Sequence, residues 1–293
     1  MTINQEEFIK YKPLLFSLGY RMLGSFADAE DLVQETFLRC YQIDTIQSNP
    51  KAYLCQVMTN LCIDLLKSSR YNREQYTGEW NPEPLLVSQD EPSFHAIQKE
   101  GLSIAYLRMM EHLSPYERAV LILREAFHLP YQDIAKMIHK QEANCRKLFS
   151  RAKTKISSVE AESLSYDQNR ILIERFIKAF QTQNIAELLQ LLSEDVTLYS
   201  DGGGIVKAAI RPIKTPSHVL AFFNGITRKA KKDFHASIHN LNEQPTIVVY
   251  IDDRIYSVLS FYIVDQYINE LYMTNNPNKL NHLQPVLTIH KGD

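Results

Sequence analysis

The chain has 293 residues, and at about 150 residues per domain this length suggests two domains or three small ones. Apolar residues make up 45% and charged residues 23%, a balance that excludes a disordered chain and fits a soluble globular one. No run approaches the ~18 apolar residues of a membrane span, so an integral membrane protein is not expected. The opening Met1-Thr2-Ile3-Asn4-Gln5-Glu6-Glu7 lacks the basic-then-apolar order of a secretion signal. Cys40, Cys55, Cys62 and Cys145 form no CxxC pair and lie in apolar helical patterns. A zinc site or disulfide framework is therefore not expected, and a reducing, cytoplasmic setting is. Net charge is only −2, so any nucleic-acid role has to be argued locally.

Residues 6–70 read as helices. Phe8, Tyr11, Leu15, Leu18 and Met22 mark one buried stripe, Gly24-Ser25 breaks it, and Ala29, Leu32, Val33, Thr36, Phe37 and Cys40 mark the next. Asp28 is the expected cap of that second helix. Asn49-Pro50 opens a third, with Leu54, Val57, Met58, Leu61 and Leu65 on its apolar side. The first domain, 1–70, is thus an all-α bundle. Residues 71–93 lose helical periodicity and read as a linker, with Trp80-Asn81-Pro82-Glu83-Pro84 extended because each proline disfavours helix before it. A third segment, 94–160, regains it: a helix runs from near Phe94 to Leu113, Ser114-Pro115-Tyr116-Glu117 starts another with a capping signature, and 131–138 and 142–156 follow. From 161 the pattern changes to an amphipathic helix (Ile171, Ile173, Phe176, Ile177, Phe180), a short helix at 185–192, and strands at 196–199, 238–241, 246–251, 255–261 and 268–273. Turns are expected at Asn242-Glu243-Gln244-Pro245 and Asp252-Asp253. This predicts an α+β domain with helices on one face of a curved antiparallel sheet.

The sharpest local signal lies in 129–155. A short helix with Ile134, Ala135 and Ile138, a four-residue turn, and a second polar helix make a helix-turn-helix, whose second helix enters the major groove. From Lys140 to Lys155 the sequence has Lys140, Arg146, Lys147, Arg151, Lys153 and Lys155 against Glu142 alone, a bias suited to phosphate contact. Gln141, Glu142, Asn144 and Arg146 are residue types that read base edges. The competing reading is a solvated basic helix. His139 stands where such turns commonly carry glycine and must accept a left-handed backbone.

The first bundle has two polar faces. Asp28, Glu30, Asp31, Gln34 and Glu35 decorate the outside of its second helix. Tyr53, Gln56, Asn60, Asp64 and Lys67, spaced 3, 4, 4 and 3 apart, share one face of the third. Aromatic, amide and cation together suit stacking on unpaired bases, although each face alone is also what a solvated surface looks like.

Taken together these segments resemble bacterial sigma factors of the extracytoplasmic-function type. Asp28-Ala29-Glu30-Asp31-Leu32-Val33-Gln34-Glu35-Thr36-Phe37 is similar to region 2.2 of that family. Ala52-Tyr53-Leu54 through Asn60-Leu61-Cys62-Ile63-Asp64-Leu65-Leu66-Lys67 is similar to regions 2.3–2.4. Leu113-Ser114-Pro115-Tyr116-Glu117-Arg118 and Tyr131-Gln132-Asp133-Ile134-Ala135 are similar to region 4. The likeness covers about residues 6–157. It implies an alternative sigma factor that binds RNA polymerase core through its β and β′ subunits and directs initiation at specific promoters. The helix with Asp28, Glu30, Asp31, Gln34, Glu35 and Arg39 would dock on the β′ clamp helices. Asn49, Lys51, Tyr53, Gln56, Asn60, Asp64 and Lys67, with the 44–50 loop, would melt and read the −10 element. Gln141, Glu142, Asn144, Arg146, Lys147, Arg151 and Lys153 would read the −35 element.

The last segment, 161–293, resembles the SnoaL-like cone fold carried as a fused C-terminal extension by one subgroup of these factors. The subgroup's motifs are Trp80-Asn81-Pro82-Glu83-Pro84, Asp201-Gly202-Gly203-Gly204 and Asn276-Pro277-Asn278-Lys279-Leu280, with Asn81 in place of the usual Leu and Asn278 in place of the usual Asp. The fold class implied is multidomain: two all-α sigma domains followed by an α+β cone. Trp80, Pro82, Glu83, Pro84, Asp201, Gly202, Gly203, Gly204, Asn276, Pro277, Lys279 and Leu280 would be regulatory, holding the DNA-binding modules in place of a separate anti-sigma protein. The triple glycine would allow positive φ and close approach of another chain segment. Trp80 would anchor in a groove, or else cover the first bundle.

Catalysis is not expected. Asp201, His218, His235 and His239 are the candidate groups in the cone, but His235 and His239 lie in a strand-like alternation rather than on a helix, so neither a metal nor a cofactor is expected. Cone folds enclose pockets, and a small ligand of unnamed kind is a further expected partner. The rival readings are a cone enzyme or ligand sensor fused to a DNA-binding module, and a plain helix-turn-helix regulator that works without polymerase.

Overall fold

The structure is a computed structural model describing residues 5–41, 49–73, 76–86, 102–156, 165–229, 234–284 and 286–287. Backbone packing divides them into two units, one holding the residues up to 73 and those from 106 to 156, the other holding 76–86 and the residues from 165 onward.

In the first unit the expected stripes meet. Helices α1 (Gln5–Leu23), α2 (Phe26–Tyr41) and α3 (Pro50–Arg73) bury Leu15, Leu18 and Met22 against Ala29, Val33 and Cys40 and against Leu54, Met58 and Cys62. At Gly19 a Cβ would strike the end of Met58 and approach Ala29, so the missing side chain is what lets α1 pass close to both neighbours. The cap of α2 is corrected by the structure. Ser25 Oγ accepts the Asp28 amide at 3.2 Å, and Asp28 sits exposed in the first turn. A hydroxyl one residue before the helix reaches its N3 amide, which a side chain already inside the first turn does not. Asn49 Oδ1 opens α3 in the same way, accepting the Ala52 amide at 3.1 Å.

The second half of this unit comprises α4 (Ile104–Met110) from Tyr106 onward, α5 (Pro115–Glu125), α6 (Tyr131–Met137) and α7 (Glu142–Ile156). The expected helix stretch 94–101 lies outside the described residues. The capping signature is realised on both sides: Glu117 N donates to Ser114 Oγ at 3.3 Å, and Ser114 N to Glu117 Oε2 at 2.8 Å. Burial pushes the Glu117 carboxyl pKa up, but Lys155 Nζ at 2.7 Å and the Ser114 bonds outweigh it and leave it below the ordinary value. Lys155 thereby ties the end of α7 to the start of α5. His139 adopts φ +53° in the α6–α7 turn, and Lys140 N closes that turn on Ala135 O at 3.0 Å.

One buried cation joins the two halves. Arg118, 3% exposed, donates from Nη1 to Met22 O at 2.7 Å at the end of α1. Its Nη2 reaches Met110 O at 2.5 Å and Glu111 Oε1 at 2.9 Å.

The second unit runs α8 (Tyr166–Gln181), α9 (Ile185–Leu191), β1 (Leu192–Asp201), β2 (Ile213–Lys214), α10 (Pro216–Lys229), β3 (Phe234–Leu241), β4 (Gln244–Ile251), β5 (Arg254–Val264), β6 (Tyr267–Thr274) and α11 (Pro277–Leu280). The sheet order is β2-β1-β6-β5-β4-β3. Helices α8, α9 and α10 cover one face through Leu172, Phe176, Leu188, Val219 and Phe223, as a cone requires. The other face carries Leu241, Val248, Tyr250 and Val258 under Leu280, Leu283 and Leu287. The sheet is mixed, not purely antiparallel as expected: β1 pairs β6 in parallel, Leu198 beside Leu271 and Asp201 beside Thr274. The reason is connectivity, since the strand that leaves the helix pair and the strand that ends the meander meet through a long crossover. The apolar stripe of α8 also differs: Ile171 is 60% exposed and Leu172 is buried instead. The meander turns at Asn242-Glu243, Asp252-Asp253 and Asp265-Gln266, every one of these residues at φ between 51° and 66°, the two-residue form that matches strand twist.

Arg118→Ala should lower the unfolding free energy of the first unit by about 3 kcal/mol, because a cavity and two carbonyls without donors remain. Arg118→Lys should recover less than half, since one ammonium cannot span three separated acceptors. Urea unfolding followed by circular dichroism checks both.

Candidate nucleic-acid interface and motif cluster

On α7, burial of Cys145, Ala152 and Ile156 turns the opposite side outward. Gln141, Glu142, Asn144, Arg146, Lys147 and Arg151 are exposed on it. Arg146 Nη2 pairs with Glu142 at 2.6 Å while its guanidinium lies 4.5 Å over the Tyr131 ring. Lys153 is half-buried and holds Glu125 at 3.0 Å. The packing of α6 on α7 explains the small residue at 135, since Ala135 is 8% exposed beside fully buried Ile134.

On α2, Asp28, Asp31, Gln34 and Arg39 are exposed, and Glu30 and Glu35 partly so. Glu35 Oε1 pairs with Arg39 Nε at 2.7 Å. On α3, Asn49, Lys51, Asp64 and Lys67 are exposed and Tyr53, Gln56 and Asn60 half-buried. The 44–48 part of the loop expected to contribute lies outside the described residues. The α3 face is not free. Asn60 Nδ2 donates to Met137 O at the end of α6 at 3.0 Å and to Gln56 O at 3.0 Å. Lys67, bonded to Asp64 at 3.0 Å, lies 5.2 Å from the centre of the Tyr116 ring, which Lys140 also approaches at 4.5 Å. The helix-turn-helix module therefore engages the same face whose aromatic, amide and cation pattern suits a single strand.

In the second unit the three motifs converge on one carboxylate. Asp201 is fully buried. Its Oδ1 accepts from Tyr76 OH at 2.6 Å and Gly203 N at 3.0 Å, and its Oδ2 from Asn81 N at 2.8 Å and Lys279 Nζ at 2.7 Å. Lys279 also donates to Asn81 O at 2.5 Å and lies 4.2 Å from the Trp80 ring centre. Trp80 thus belongs with the cone unit. Gly203, at φ +61°, has no room for a Cβ, which would collide with the Asn276 amide, so the expected close approach is made by the third motif. Asn276 N and Asn275 N donate to Asp201 O, and Asn276 Nδ2 to Tyr76 OH at 3.1 Å. Asn81, buried where Leu is usual, satisfies its amide on Met273 O at 3.2 Å. Asn278 is exposed and donates its backbone N–H to Asn276 Oδ1. Pro82, Glu83, Pro84 and Leu280 are buried and Gly202 closes a turn with Ile205 and Val206, while Pro277 and Gly204 are exposed.

Residues 76–86 are fastened at two further places. Leu85 N donates to Asn242 Oδ1 at 2.8 Å while Asn242 N returns a bond to Leu85 O at 2.7 Å. His282 Nε2 bonds Pro84 O at 2.7 Å. Burial pushes the His282 pKa down, against the pull of the Pro84 carbonyl. Burial and the Asp201 carboxylate together push the Tyr76 phenol far above its ordinary range. Sequence reasoning missed Tyr76, Asn242 and His282.

The catalytic candidates do not converge. His218 Nδ1 is taken up by Thr215 and Lys214 O. His239 Nε2 meets Ser237 Oγ at 2.8 Å and Tyr250 OH at 3.0 Å. His235 and His239 lie on the side of β3 opposite Ala236, which lines a hollow between the sheet and α8 and α10. No carboxylate, imidazole, amine or thiol is among the described residues lining that hollow.

A three-helix bundle with an acidic outer helix, followed by a helix-turn-helix, is the architecture of a transcription-initiation protein of the sigma type. The family descriptions "Sigma-70 region 2" and "Sigma-70, region 4" match residues 8–71 and 103–156. The chain is 32% identical over 228 residues to the ECF RNA polymerase sigma factor SigJ of Mycobacterium tuberculosis, covering 76% of this chain and 73% of that one. It is 29% identical to the probable ECF RNA polymerase sigma factor SigI of the same organism, covering 94% of each. The crystal structure of M. tuberculosis SigJ superposes with a TM-score of 0.76 at 26% identity, over 95% of this chain and 98% of that one. The chain belongs to the extracytoplasmic-function sigma factors. Its architecture of two all-α sigma domains followed by an α+β unit is the one the sequence implied. No helix among the described residues is long and apolar enough to cross a membrane.

Asp201→Asn should lower the stability of the second unit by about 3–5 kcal/mol, as the buried Lys279 ammonium loses the carboxylate it faces. Adding Lys279→Met should restore a large part of that loss, because the buried cation is then removed together with the anion. Thermal unfolding of the single and double variants checks this. A second prediction concerns pH. With its folded pKa below the unfolded value near 6.5, His282 takes up its proton more readily in the unfolded chain. The stabilisation is present above about pH 6.5 and is lost as pH falls through the folded pKa. Protease protection of the 76–86 segment should decline between pH 7.5 and 5, and His282→Gln should flatten that decline.

Proposed function

We propose that the fused C-terminal unit regulates this sigma factor in the role that a separate anti-sigma protein fills for others. The observation that carries this reading is the fastening of residues 76–86. The chain segment between the two DNA-binding modules is held by Asp201, Lys279, Asn242 and His282, all residues of the cone unit. A change in the cone therefore changes the tether of both modules.

The same reading assigns −10 contact to the α3 face and −35 contact to α7, with the acidic α2 face meeting the polymerase clamp and the β and β′ subunits as partners. Exposure of Gln141, Asn144, Arg146, Lys147 and Arg151 supports the −35 assignment. The bonds from Asn60 to Met137 and the contact of Lys67 with Tyr116 support a closed form in which the strand-binding face is engaged by the helix-turn-helix module. Initiation then requires a shift toward an open form, stabilised by polymerase and promoter. The protein works by reversible binding, with no covalent step of its own. The rival of a cone enzyme is disfavoured because no acid–base pair faces the hollow.

Run-off transcription with purified core polymerase tests the proposal on the full chain and on chains ended after Lys155 or Asn275. Core-dependent initiation at one start site, at levels that differ between the three, is the expected result. Equal transcription from all three would remove the regulatory role. Tyr116→Ala, which releases Lys67 and Lys140, should raise initiation by the full chain about fivefold, the equivalent of roughly 1 kcal/mol withdrawn from the closed form.

A further inference from the structure

The hollow in the cone unit has a chemistry of its own. Its cavity volume is about 120 Å³, close to the ~150 Å³ of an apolar cavity that takes up benzene. Phe176, Phe180 and Phe223 form one wall, packed edge to face at centroid distances of 6.2 Å and 5.8 Å. Ala236, Val249 and Met273 from the sheet form the other. At this side of the sheet Phe234 and Tyr256 remain 41% and 46% exposed, large apolar rings facing water at the hollow's edge. Such walls offer water almost no partners, and apolar cavities of this kind are filled favourably by hydrocarbon. An ion entering would lose its hydration with no opposite charge to replace it.

Gln181 and Tyr256 bring polar atoms only at its exposed edge, and one buried polar side chain breaks the pattern. Ser257 on β5 lines the hollow, is 1% exposed, and its Oγ has no hydrogen-bond partner among the described residues. A buried hydroxyl without a partner costs about 1–3 kcal/mol, and a valine or alanine would fit a strand among Val249 and Leu259 without that cost. From the hydrocarbon walls and this one unsatisfied hydroxyl we infer that the hollow binds an uncharged, mostly hydrocarbon small molecule whose single hydroxyl or carbonyl bonds Ser257. The inference deepens the regulatory reading of the C-terminal unit and rests on it for its biological consequence, though not for the binding itself.

The test uses the full chain and N-phenyl-1-naphthylamine as a fluorescent probe, with 1-decanol and decanoate as competitors. Saturable binding of one probe per chain is expected. 1-Decanol should displace it at a concentration at least about tenfold lower than decanoate, whose carboxylate finds no counter-charge. Ser257→Ala should weaken 1-decanol about fivefold to tenfold, the value of one hydrogen bond, and leave probe affinity within about twofold. Ala236→Trp, which fills the hollow, should weaken the probe at least about tenfold. Absence of saturable binding to the unmodified chain overturns the inference, and so does equal competition by decanoate, which needs no variant. Undiminished binding in folded Ala236→Trp would move the probe to a surface patch and also overturn it. Probe exclusion that grows with protein concentration would assign the hollow to a second copy of the chain instead. Because these readouts involve no transcription, binding can hold while the three-chain run-off comparison fails, or the reverse, and the two readings fall separately.

Discussion

The carboxylate of Asp201 sits where no water reaches, and each of its oxygens takes two donors. A buried charge is tolerated only when it is paired and its remaining lone pairs are filled, and here the four donors come from two distant stretches of chain and from the glycine turn next to Asp201 itself. Tyr76 and Asn81 arrive from the segment before the helix-turn-helix half, Gly203 from the end of β1, and Lys279 from the turn of helix after β6. None of these can leave without exposing the others to an unsatisfied charge. The requirement explains why the triple glycine is needed, since the Asn276 amide occupies the space of a Cβ at position 203. It also explains why a stretch of sequence that reads as a linker carrying a Trp-Pro motif folds with the C-terminal unit.

The first unit applies the same physics with the sign reversed. Arg118 is the buried charge, and the carbonyls of Met22 and Met110 with the Glu111 carboxylate are its partners. Burial pushes its pKa down, so its acceptors are what retain the charge. By fixing the end of α1 to the start of α5, this one side chain sets how the first bundle meets the helix-turn-helix half. The contacts of Asn60 and Lys67 sit on top of that arrangement and are individually weak: one neutral hydrogen bond and one exposed cation over a ring. One strong buried anchor with weak surface contacts around it is the arrangement that the proposed opening by polymerase and promoter would require.

What the sequence made legible follows from how local each determinant is. The capping box at Ser114, the apolar period of α2 and α3, the left-handed His139 and the meander turns all depend on residues within about one helical turn or one hairpin, and they stand where pattern put them. β2, two residues long, carries no period to read. The α10 helix had signals, a proline at its start and Val219, Leu220 and Phe223 at helical spacing, but went unread amid the strand-like segments around it. Tyr76, Asn242 and Arg118 were beyond reach for a different reason. Their partners lie 125, 157 and 96 residues away, so nothing near them in the chain announces the role. The parallel pairing of β1 with β6 belongs to the same class, because strand adjacency is decided by packing and not by order along the chain.

Met273 shows how the two features of the cone unit are mechanically joined. Its side chain lines the hollow, and its carbonyl receives the buried amide of Asn81. The next three residues along β6 lead into the two backbone amides that cap Asp201 O. On the neighbouring strand Leu259 pairs with Met273 and stands two residues from Ser257. A molecule bonded to Ser257 would therefore sit one strand away from Met273, whose carbonyl is one hydrogen bond from the 76–86 segment. That adjacency, through a single strand packed at interior density, is the shortest physical path in the unit between the hollow and the Asp201 cluster.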